Sequence, residues 1–333
     1  MKGIVKTISE MTGLSQATVS NALHHKRNVS QATIERVEKI ARDLGHNTSA
    51  SITKVKFLIF KKNGLIVDDT PFFQLLASGA QQECSQLGME MIMSTIDKRD
   101  PNYDDQVRWL QNDTDTGVIL LGNEMMSEDL PLIQGMRCPL VVIDYKSDTL
   151  SFDSVMSANL ASAKTAVEYL LSKGHREIGY IGGNFRIAPF RERYQGFCQA
   201  LYKAKLTPEK KYTVTVSTTM HDAYLDMKRY LGKHPVLPTA YFVDNDIIAL
   251  GIMKALSEHG LRIPQDISLI GYDDLPYSAV SSPALTTIKV PKEYVGRVAA
   301  RRLNDIMKRN ERDVHLQIQV CTSFVERESV AQR

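Results

Sequence analysis

The chain has 333 residues, of which 43% are hydrophobic and 24% are charged. This composition is typical of soluble globular proteins and excludes a disordered chain, a collagen-like fibre and a coiled-coil rod. The length suffices for two or three domains. No stretch approaches the roughly 18 consecutive apolar residues of a membrane span, so we expect no membrane partner.

The N-terminus and the cysteines indicate the cellular compartment. The first residues lack the apolar segment of a secretory signal. The cysteines are far apart in the sequence and lack CxxC spacing: Cys84, Cys138, Cys198 and Cys321. Their spacing predicts neither a zinc site nor a disulfide framework. We therefore expect a cytoplasmic protein without a metal or a cofactor.

Positive charge is concentrated at the start of the chain. Residues 1–55 hold eight basic and four acidic side chains, a charge of +4, whereas the whole chain carries +3, which leaves −1 for the remainder. A small basic segment beside a near-neutral body indicates a nucleic-acid partner. A solvated basic helix face would give the same balance.

Three short helices are predicted within the first fifty residues. Their inner faces are the apolar positions Val5, Ile8 and Met11, then Val19 and Leu23, then Ile34, Val37, Ile40, Ala41 and Leu44. Gly13 ends the first helix, Ser15 caps a second over 16–23, Ser30 caps the third, and Gly45 ends it. A helix, a glycine turn and a second helix predict a helix-turn-helix, and the third helix completes its core.

The second helix would enter the major groove of DNA with its N-terminus first. Gln16, Ala17 and Asn21 lie on its exposed side, where an amide can bond adenine and Ala can contact a thymine methyl. The candidates for phosphate contacts carry a hydroxyl, an imidazole or a positive charge: Ser15, Thr18, Ser20, His25, Lys26, Arg27 and Ser30. A three-helix bundle with a polar surface would show the same pattern, so the pattern alone leaves both interpretations open.

The run Gly13–Leu23, followed by Val29-Ser30 and Arg36-Val37, resembles the DNA-binding head of the LacI/GalR family of bacterial repressors. The resemblance implies that residues 1–46 form a helix-turn-helix DNA-binding domain. Asn21 stands where most members carry a base-reading Arg, so we expect a different operator sequence at that point. Ile4 replaces the usual Thr cap of the first helix.

Residues 47–55, the expected linker, depart further from the family. Members usually carry Tyr-x-Pro-Asn and then a hinge helix whose Leu inserts into the minor groove, whereas this segment is short and lacks the Pro. Ile52 or Val55 could take the place of that Leu. We favour a flexible tether with weak or absent insertion.

From residue 56 onwards, short apolar runs alternate with longer amphipathic segments. The expected strands are 56–60, 89–95, 117–121, 140–144, 177–182, 212–216, 240–243 and 267–272. The expected helices include 71–87, 104–110, 160–173, 190–204, 221–231 and 247–259. This alternation predicts an α/β body of two doubly wound parallel sheets, with ligands bound in the cleft between them.

This body resembles the LacI/GalR effector domain, which is akin to periplasmic sugar-binding proteins. The matching runs are Pro71–Phe73, Gly174–Gly183, Arg193–Phe197, Asp244–Asp246 with Ala249–Gly251, Ile263–Asp274 and Leu285–Ile288. The resemblance implies an effector and dimerisation domain over 56–333 that crosses between its halves near 152–156, 284–290 and 312–318. The first subdomain is expected at about 56–153 and 287–315, and the second at about 154–286 and 316–333.

The resemblance also implies which side chains contact the effector. They are Phe72, Phe73, Arg193, Asn245 and Asp273, and Asp144, which follows a predicted strand of the first subdomain, is a further candidate. Sugars are bound by planar polar side chains and by aromatic faces, which this set supplies. Either phenylalanine could instead be a core residue, and Arg193 could pair with a carboxylate. Ser157 and Asn159 are weaker candidates.

Other sequence features bear on the class of ligand and on whether the protein is an enzyme. Asp246 is expected to cap the helix that follows rather than contact a ligand. The loop 186–189 does not match purine-responsive members, which disfavours a nucleobase, and the Thr-Ser linker favours a galactoside. The lone His175 is interpreted as a turn or interface residue. Without a P-loop or a Ser-His-Asp arrangement, we expect no enzyme.

These features predict a homodimeric repressor that binds a pseudo-palindromic operator and responds to a sugar. Dimer contacts are expected at 103–111 and 294–307. Without a heptad tail after Val330, no coiled-coil tetramer is expected. The alternatives are a transport receptor, a doubly wound enzyme, or a repressor controlled by a corepressor or a protein coregulator.

Ile52→Ala tests the linker interpretation. If residues 47–55 are a flexible tether, the substitution weakens operator affinity by less than about tenfold, because no side chain is lost from between base pairs. Fluorescence anisotropy on operator DNA measures the change. A larger loss would show that Ile52 inserts into the minor groove.

Overall fold

The computed structural model describes residues 2–23, 29–44, 53–309 and 314–333. Three helices form the N-terminal head: α1 (Lys2–Thr12), α2 (Gln16–Leu23) and α3 (Gln31–Asp43). Gly13 has a φ of +71°, a conformation that glycine adopts without strain, and the chain turns there between α1 and α2. The buried side chains form one small core: Ile8, Val19, Ala22, Ile34, Val37 and Ala41. The three predicted helices are therefore present.

Hydroxyl side chains cap α2 and α3 as the sequence predicts. Ser15 Oγ accepts a hydrogen bond from the Thr18 N–H at 3.1 Å, and Ser30 Oγ accepts one from the Thr33 N–H at 3.3 Å. The predicted apolar faces of α1 and α3 each include a residue too many at the C-terminal end. Met11 is 57% exposed and Leu44 is also exposed, because the core closes on Ile8, four residues before α1 ends, and on Ala41, two residues before α3 ends.

The first subdomain is built on a parallel six-stranded sheet. Its strands are β1 (Lys54–Lys61), β2 (Glu90–Asp97), β3 (Thr116–Leu121), β4 (Leu140–Ile143), β5 (Asp153–Ser157) and β11 (Gln317–Val320), in the order β11-β5-β4-β3-β1-β2. Side chains on one face pack against α4 (Phe72–Gln86) and α12 (Lys292–Arg309). Those on the other face pack against α5 (Tyr103–Asn112) and α6 (Leu130–Gln134).

The second subdomain is built on a parallel four-stranded sheet. Its strands are β6 (Ile178–Gly183), β7 (Thr213–Val216), β8 (Ala240–Val243) and β9 (Ser268–Ile270), in the order β7-β6-β8-β9. Helices α7 (Asn159–Ser172) and α8 (Ala188–Lys203) cover one face, and α9 (Met220–Leu231) and α10 (Asp246–Glu258) cover the other. The short α11 (Pro276–Val280) follows β9. Two covered parallel sheets confirm the predicted fold class.

Four short strands are absent from the prediction, and they move the subdomain boundaries. β5 and β11 pair with each other in the first sheet, so its segments end near residues 157 and 320 rather than at 153 and 315. β10 (Thr287–Lys289) and β12 (Ser323–Val325) form a separate antiparallel pair beside α7. Within the described ranges, no helix is long and apolar enough to cross a membrane.

Two glycines set the distance between α4 and α12. A Cβ on Gly296 would lie 2.0 Å from the Leu76 carbonyl oxygen, and one on Gly79 would lie 2.0 Å from the Glu293 carbonyl oxygen. The two backbones therefore touch directly. Since α4 begins with Phe72, this contact also fixes one wall of the cleft described below.

Gly296→Ala tests this contact. The added methyl group must push the two helices apart, so we expect the free energy of unfolding to fall by about 1–3 kcal/mol. Urea denaturation followed by circular dichroism measures the change. Gly232→Ala is the control, because the atom nearest to its Cβ would lie 3.5 Å away, and it should shift stability by less than about 0.5 kcal/mol. Equal stability of the two variants would contradict the close backbone contact.

Candidate functional site

The exposed side of α2 carries most of the described residues that were predicted to contact DNA. Ser15, Gln16 and Ala17 are exposed at its N-terminal end, and Thr18, Ser20 and Asn21 are half-buried. The Ser15 and Thr18 hydroxyls bond each other at 2.9 Å, so Ser15 also acts as a helix cap. Ser30 is exposed and caps α3. The predicted contacts at His25, Lys26, Arg27 and Ile52 lie outside the described residues.

A small cavity of about 30 Å³ lies where the carboxyl ends of the strands of both subdomains meet. All six side chains predicted to contact an effector line it: Phe72, Phe73, Asp144, Arg193, Asn245 and Asp273. The remaining lining residues are Ile66, Thr70, Asn123, Ile187, Pro189 and Phe190. The cavity therefore combines aromatic and aliphatic walls with a few converging polar groups, which is typical of small-molecule sites.

The Arg193 guanidinium organises the polar side of the cavity. Its Nε donates to Asn159 Oδ1 at 3.0 Å, and its terminal nitrogens donate to the Asp244 carbonyl oxygen at 2.6 Å and to Asp273 Oδ1 at 3.4 Å. It lies 3.6 Å from the centroid of the Tyr272 ring. Burial lowers the pKa of Arg193 and the nearby Asp273 raises it, with a net increase. Arg193 is therefore a fixed buried cation with a carboxylate partner, an arrangement that the sequence left open.

Two carboxylates approach this cation from opposite subdomains. Asp144 follows β4 with a φ of +60°, and Asp273 lies beyond β9 with a φ of +116°. Burial raises the pKa of each carboxyl to about 6, and Arg193 opposes that increase. The Asp144 carboxylate accepts no hydrogen bond from the described part of the chain. It is therefore available to a ligand that donates hydrogen bonds.

Asn245, and not Asp246, is the N-cap of α10. The Asn245 Oδ1 accepts the Ile248 N–H at 2.9 Å, which leaves the amide nitrogen beside the cavity. Asp246 was expected to cap but is the first helical residue, because Asn245 takes the extended backbone of a cap. The Asp246 carboxylate instead accepts hydrogen bonds from the Leu275 N–H and the Ser278 and Thr287 hydroxyls. Asp246 therefore links β10, which begins at Thr287, to the second subdomain.

Asn123 is a candidate contact that the sequence analysis missed. Its side chain is buried and lines the cavity, yet neither its amide oxygen nor its amide nitrogen has a hydrogen-bond partner among the described residues. Leaving one such buried group unpaired costs about 1–3 kcal/mol. A ligand that both donates and accepts hydrogen bonds would remove this cost. The available signal was its place two residues after the apolar run 117–121, at the carboxyl end of a strand.

The two phenylalanines at the start of α4 are core residues and cavity walls at once. Their rings meet edge to face, with centroids 5.1 Å apart, and both side chains are buried. Lys292 Nζ lies 5.6 Å from the centroid of the Phe72 ring. Phe72 and Phe73 can therefore be core residues and still contact a ligand in the cavity.

Two other polar residues near the sheet ends are fully used within the protein. Asp244 accepts hydrogen bonds from the Tyr180 hydroxyl, from Arg186 and from the Gly183 N–H. His175 bonds Thr239 Oγ1 at 2.8 Å and the Ala331 carbonyl oxygen at 3.1 Å. Burial lowers the pKa of His175, which fits a neutral structural group. The described ranges contain no group of three or more metal-binding side chains.

Asp144→Asn should stabilise the protein above neutral pH. The folded-state pKa of about 6 exceeds the ordinary value of 3.8, so the folded protein holds this proton more tightly, and ionisation costs stability as pH rises from about 4 to 6. Asn cannot ionise, so we expect the variant to be more stable by about 1–3 kcal/mol at pH 8, with the gap narrowing towards pH 4. Urea denaturation across this range measures the gap. Asp148→Asn, at an exposed position, should show none, and a less stable Asp144→Asn at pH 8 would contradict the assigned burial cost.

The head and the body each match a known protein group. Residues 5–49 match the family described as "Bacterial regulatory proteins, lacI family", and residues 167–330 match the "Periplasmic binding protein-like domain". The chain is 30% identical over 336 residues to the HTH-type transcriptional repressor PurR of Pasteurella multocida, with 99% of each chain covered.

Solved structures with the same fold include a transcriptional regulator CelR–cellobiose complex, at a TM-score of 0.75 and 24% identity over 98% of this chain and 99% of that one. The lac repressor dimer bound to operator and the anti-inducer ONPF has a TM-score of 0.71 and 23% identity over 97% and 98%. These regulators share the architecture of a head and two subdomains. The chain belongs to the LacI family of bacterial regulatory proteins and is a DNA-binding transcriptional repressor rather than an enzyme.

Proposed function

We propose that this repressor responds to a neutral sugar bound in the cavity between its subdomains. The observation that carries the proposal is the set of polar groups without protein partners around the cavity. Asp144 presents a free carboxylate, Asn123 presents both a free donor and a free acceptor, and Asn245 presents its amide nitrogen. Sugar hydroxyls donate and accept hydrogen bonds around a whole ring, so one ligand can satisfy all three.

The charges in the cavity favour a neutral ligand. The Asp144 and Asp273 carboxylates lie beside Arg193, which is already bonded on all three of its nitrogens, and the nearby Lys292 Nζ donates to three backbone carbonyl oxygens. A phosphorylated sugar would place a further negative charge next to these carboxylates without an uncommitted cation to pair with it. Phe72 and Phe73 supply apolar surface for the carbon face of a sugar ring.

A purine is the second candidate effector. It is favoured by the similarity to repressors named PurR over nearly the whole chain. The aromatic and aliphatic walls of the cavity would also accept a planar base. A base has few hydrogen-bond donors, and these lie on its edges, whereas the free polar groups here belong to opposite subdomains. This distribution is why a sugar is preferred.

The proposed repressor acts as a homodimer on a pseudo-palindromic operator. Apolar side chains are exposed on the first subdomain at Ile92 and Met93 of the edge strand β2 and at Trp109 of α5, which is 64% exposed. Lys56 Nζ lies 3.9 Å from the Trp109 ring and holds it in place. α12, the other segment expected at the dimer interface, packs against α4 within the same chain on one face, and Tyr294 on it is exposed.

Effector binding would control the operator through the relative position of the subdomains. A sugar held by Asp144 and Asn123 on one side and by Asn245 and Asp273 on the other favours one arrangement of the two. A differential affinity of about 1–3 kcal/mol between arrangements changes operator affinity by roughly 5–150-fold. Release and tightening of the operator both follow from this linkage, so inducer and corepressor remain the two alternatives.

Fluorescence anisotropy of the purified protein on its upstream intergenic DNA tests the proposal. The salt concentration is varied, and methyl galactosides, cellobiose, ribose, sugar phosphates, hypoxanthine and guanine are each added. We expect palindrome-dependent, salt-sensitive binding that one neutral sugar changes at least fivefold. A response to a nucleobase alone would establish the purine alternative. A response to a sugar phosphate would overturn the charge argument, and a lack of specific DNA binding would overturn the operator assignment.

Asn123→Ala separates the ligand contact from operator binding. Because its amide faces the cavity, the variant should bind the responsive sugar at least about tenfold more weakly, while its effector-free operator affinity stays within about twofold. Asn184→Ala is the matched control, since Asn184 follows β6 but is exposed and outside the cavity. Equal sugar affinity of the Asn123→Ala variant and the unmodified protein would contradict the assigned contact.

A further inference from the structure

The loop after β1, residues 62–70, is held in shape by a single buried carboxylate. Glu124 Oε2 accepts hydrogen bonds from the N–H groups of Lys62, Asn63 and Gly64, at 2.8, 3.0 and 2.9 Å. Glu124 Oε1 accepts those of Ile66 and Val67, at 3.0 and 3.2 Å. Five backbone donors on one fully buried side chain leave this segment, here called the bridging loop, little freedom.

The bridging loop reaches across the cleft at two points. The Asp69 carboxylate accepts the Met220 N–H at 2.7 Å, and the Leu65 carbonyl oxygen accepts the Thr218 hydroxyl at 3.3 Å. Met220 is the first residue of α9 in the second subdomain. The first N–H groups of a helix have no acceptor within the helix, so Asp69 supplies from the first subdomain an acceptor that α9 lacks.

The same loop is connected to the ligand cavity. Ile66 and Thr70 line the cavity, and Asn123, whose amide is unpartnered, precedes Glu124 in the chain. A ligand bound to Asn123 therefore acts on the residue next to the anchor of the bridging loop. The ligand contact and the contact between subdomains belong to one short, rigid unit.

We propose that the bridging loop is a clasp that holds the subdomains closed, and that the Asp69 cap on α9 sets how tightly the effector binds. This inference rests on the proposed function, because it concerns the regulation of the same cavity. Asp69 does not touch the ligand and is a positioning residue. Weakening its cap lowers the population of the closed arrangement, and apparent effector affinity falls in proportion to that population.

Asp69→Ala is the test variant, and the chain offers two matched controls. Asp68→Ala removes the same charge one residue earlier, where the carboxylate pairs with Lys61 of its own subdomain at 2.5 Å and does not reach α9. Asp69→Asn keeps an oxygen that can accept the Met220 N–H. Any effect of the cap must therefore appear in Asp69→Ala, be small in Asp69→Asn and be absent in Asp68→Ala.

Hydrogen exchange of the effector-free protein provides the first readout. In Asp69→Ala the Met220 amide loses its acceptor and should exchange faster. The Asp222 amide, bonded to Thr219 Oγ1 at 3.2 Å within α9, should keep its rate. Unchanged exchange of Met220 in Asp69→Ala would overturn the clasp, whatever the ligand.

Isothermal titration with methyl β-galactoside, cellobiose and ribose provides the second readout. We expect the responsive sugar to bind Asp69→Ala about three- to tenfold more weakly, equivalent to about 0.7–1.4 kcal/mol, and to bind both controls within about twofold of the unmodified protein. Equal affinity in all four proteins would overturn the clasp. If none of these sugars binds the unmodified protein but Met220 exchanges faster in Asp69→Ala, the sugar proposal fails and the clasp stands.

Discussion

The cleft depends on the buried guanidinium of Arg193. A buried cation is tolerated only when its hydrogen bonds are satisfied and a counter-charge lies close by. Asn159, the Asp244 carbonyl and Asp273 meet that requirement from α7, β8 and the end of β9, and the Tyr272 ring lies flat beneath the charge. Arg193 thereby fixes the relative positions of several strand and helix ends at the cleft.

This arrangement explains why the polar residues around Arg193 have distinct tasks. The Asp244 carboxylate accepts hydrogen bonds from Tyr180, Arg186 and a backbone N–H. The Asp246 carboxylate accepts hydrogen bonds from three other donors. Their carboxylates hold the carboxyl edge of the second sheet together. Among the described residues, Asp273, Asn245 and, from the other subdomain, Asp144 and Asn123 retain hydrogen-bonding capacity towards the cavity. In the proposed effector site, ligand specificity therefore rests on a small subset of the polar residues at the strand ends.

Local signals allowed the sequence to predict most helices and the long strands. Gly13, Ser15 and Ser30 act through neighbours three or four residues away, so their effect is visible in the sequence, and the apolar runs of β1, β3, β4 and β8 are equally clear. The missed strands are short, and β11 contains polar Gln317 and Gln319. Such strands are defined by pairing with a distant segment, which no local pattern encodes.

The same distinction between local signals and contacts with distant segments applies to the candidate effector site. Arg193, Asn245 and Asp273 could be named because they lie in runs that resemble a known family. Asn123 could not be named from the sequence, because its candidate role rests on a buried amide that has no hydrogen-bond partner among the described residues. Glu124 could not either, since its five donors come from a loop about 60 residues earlier. The cap of α10 falls on Asn245 rather than on Asp246, and this difference of one residue depends on backbone geometry.

The placement of two carboxylates on opposite subdomains gives the cleft its proposed sensitivity to a ligand. Burial raises the pKa of Asp144 and of Asp273 to about 6, and Asp144 adds to the increase at Asp273. Arg193 faces both carboxylates and Lys292 also acts on Asp273, but Asp144 accepts no hydrogen bond from the described residues, so closing the cleft without a ligand buries that carboxylate at a cost in free energy. Sugar hydroxyls that donate to both carboxylates would lower this cost only when the subdomains are together. A ligand that acts in this way binds the closed arrangement more tightly than the open one, and that difference is the free energy available to change the separation of two DNA-binding heads.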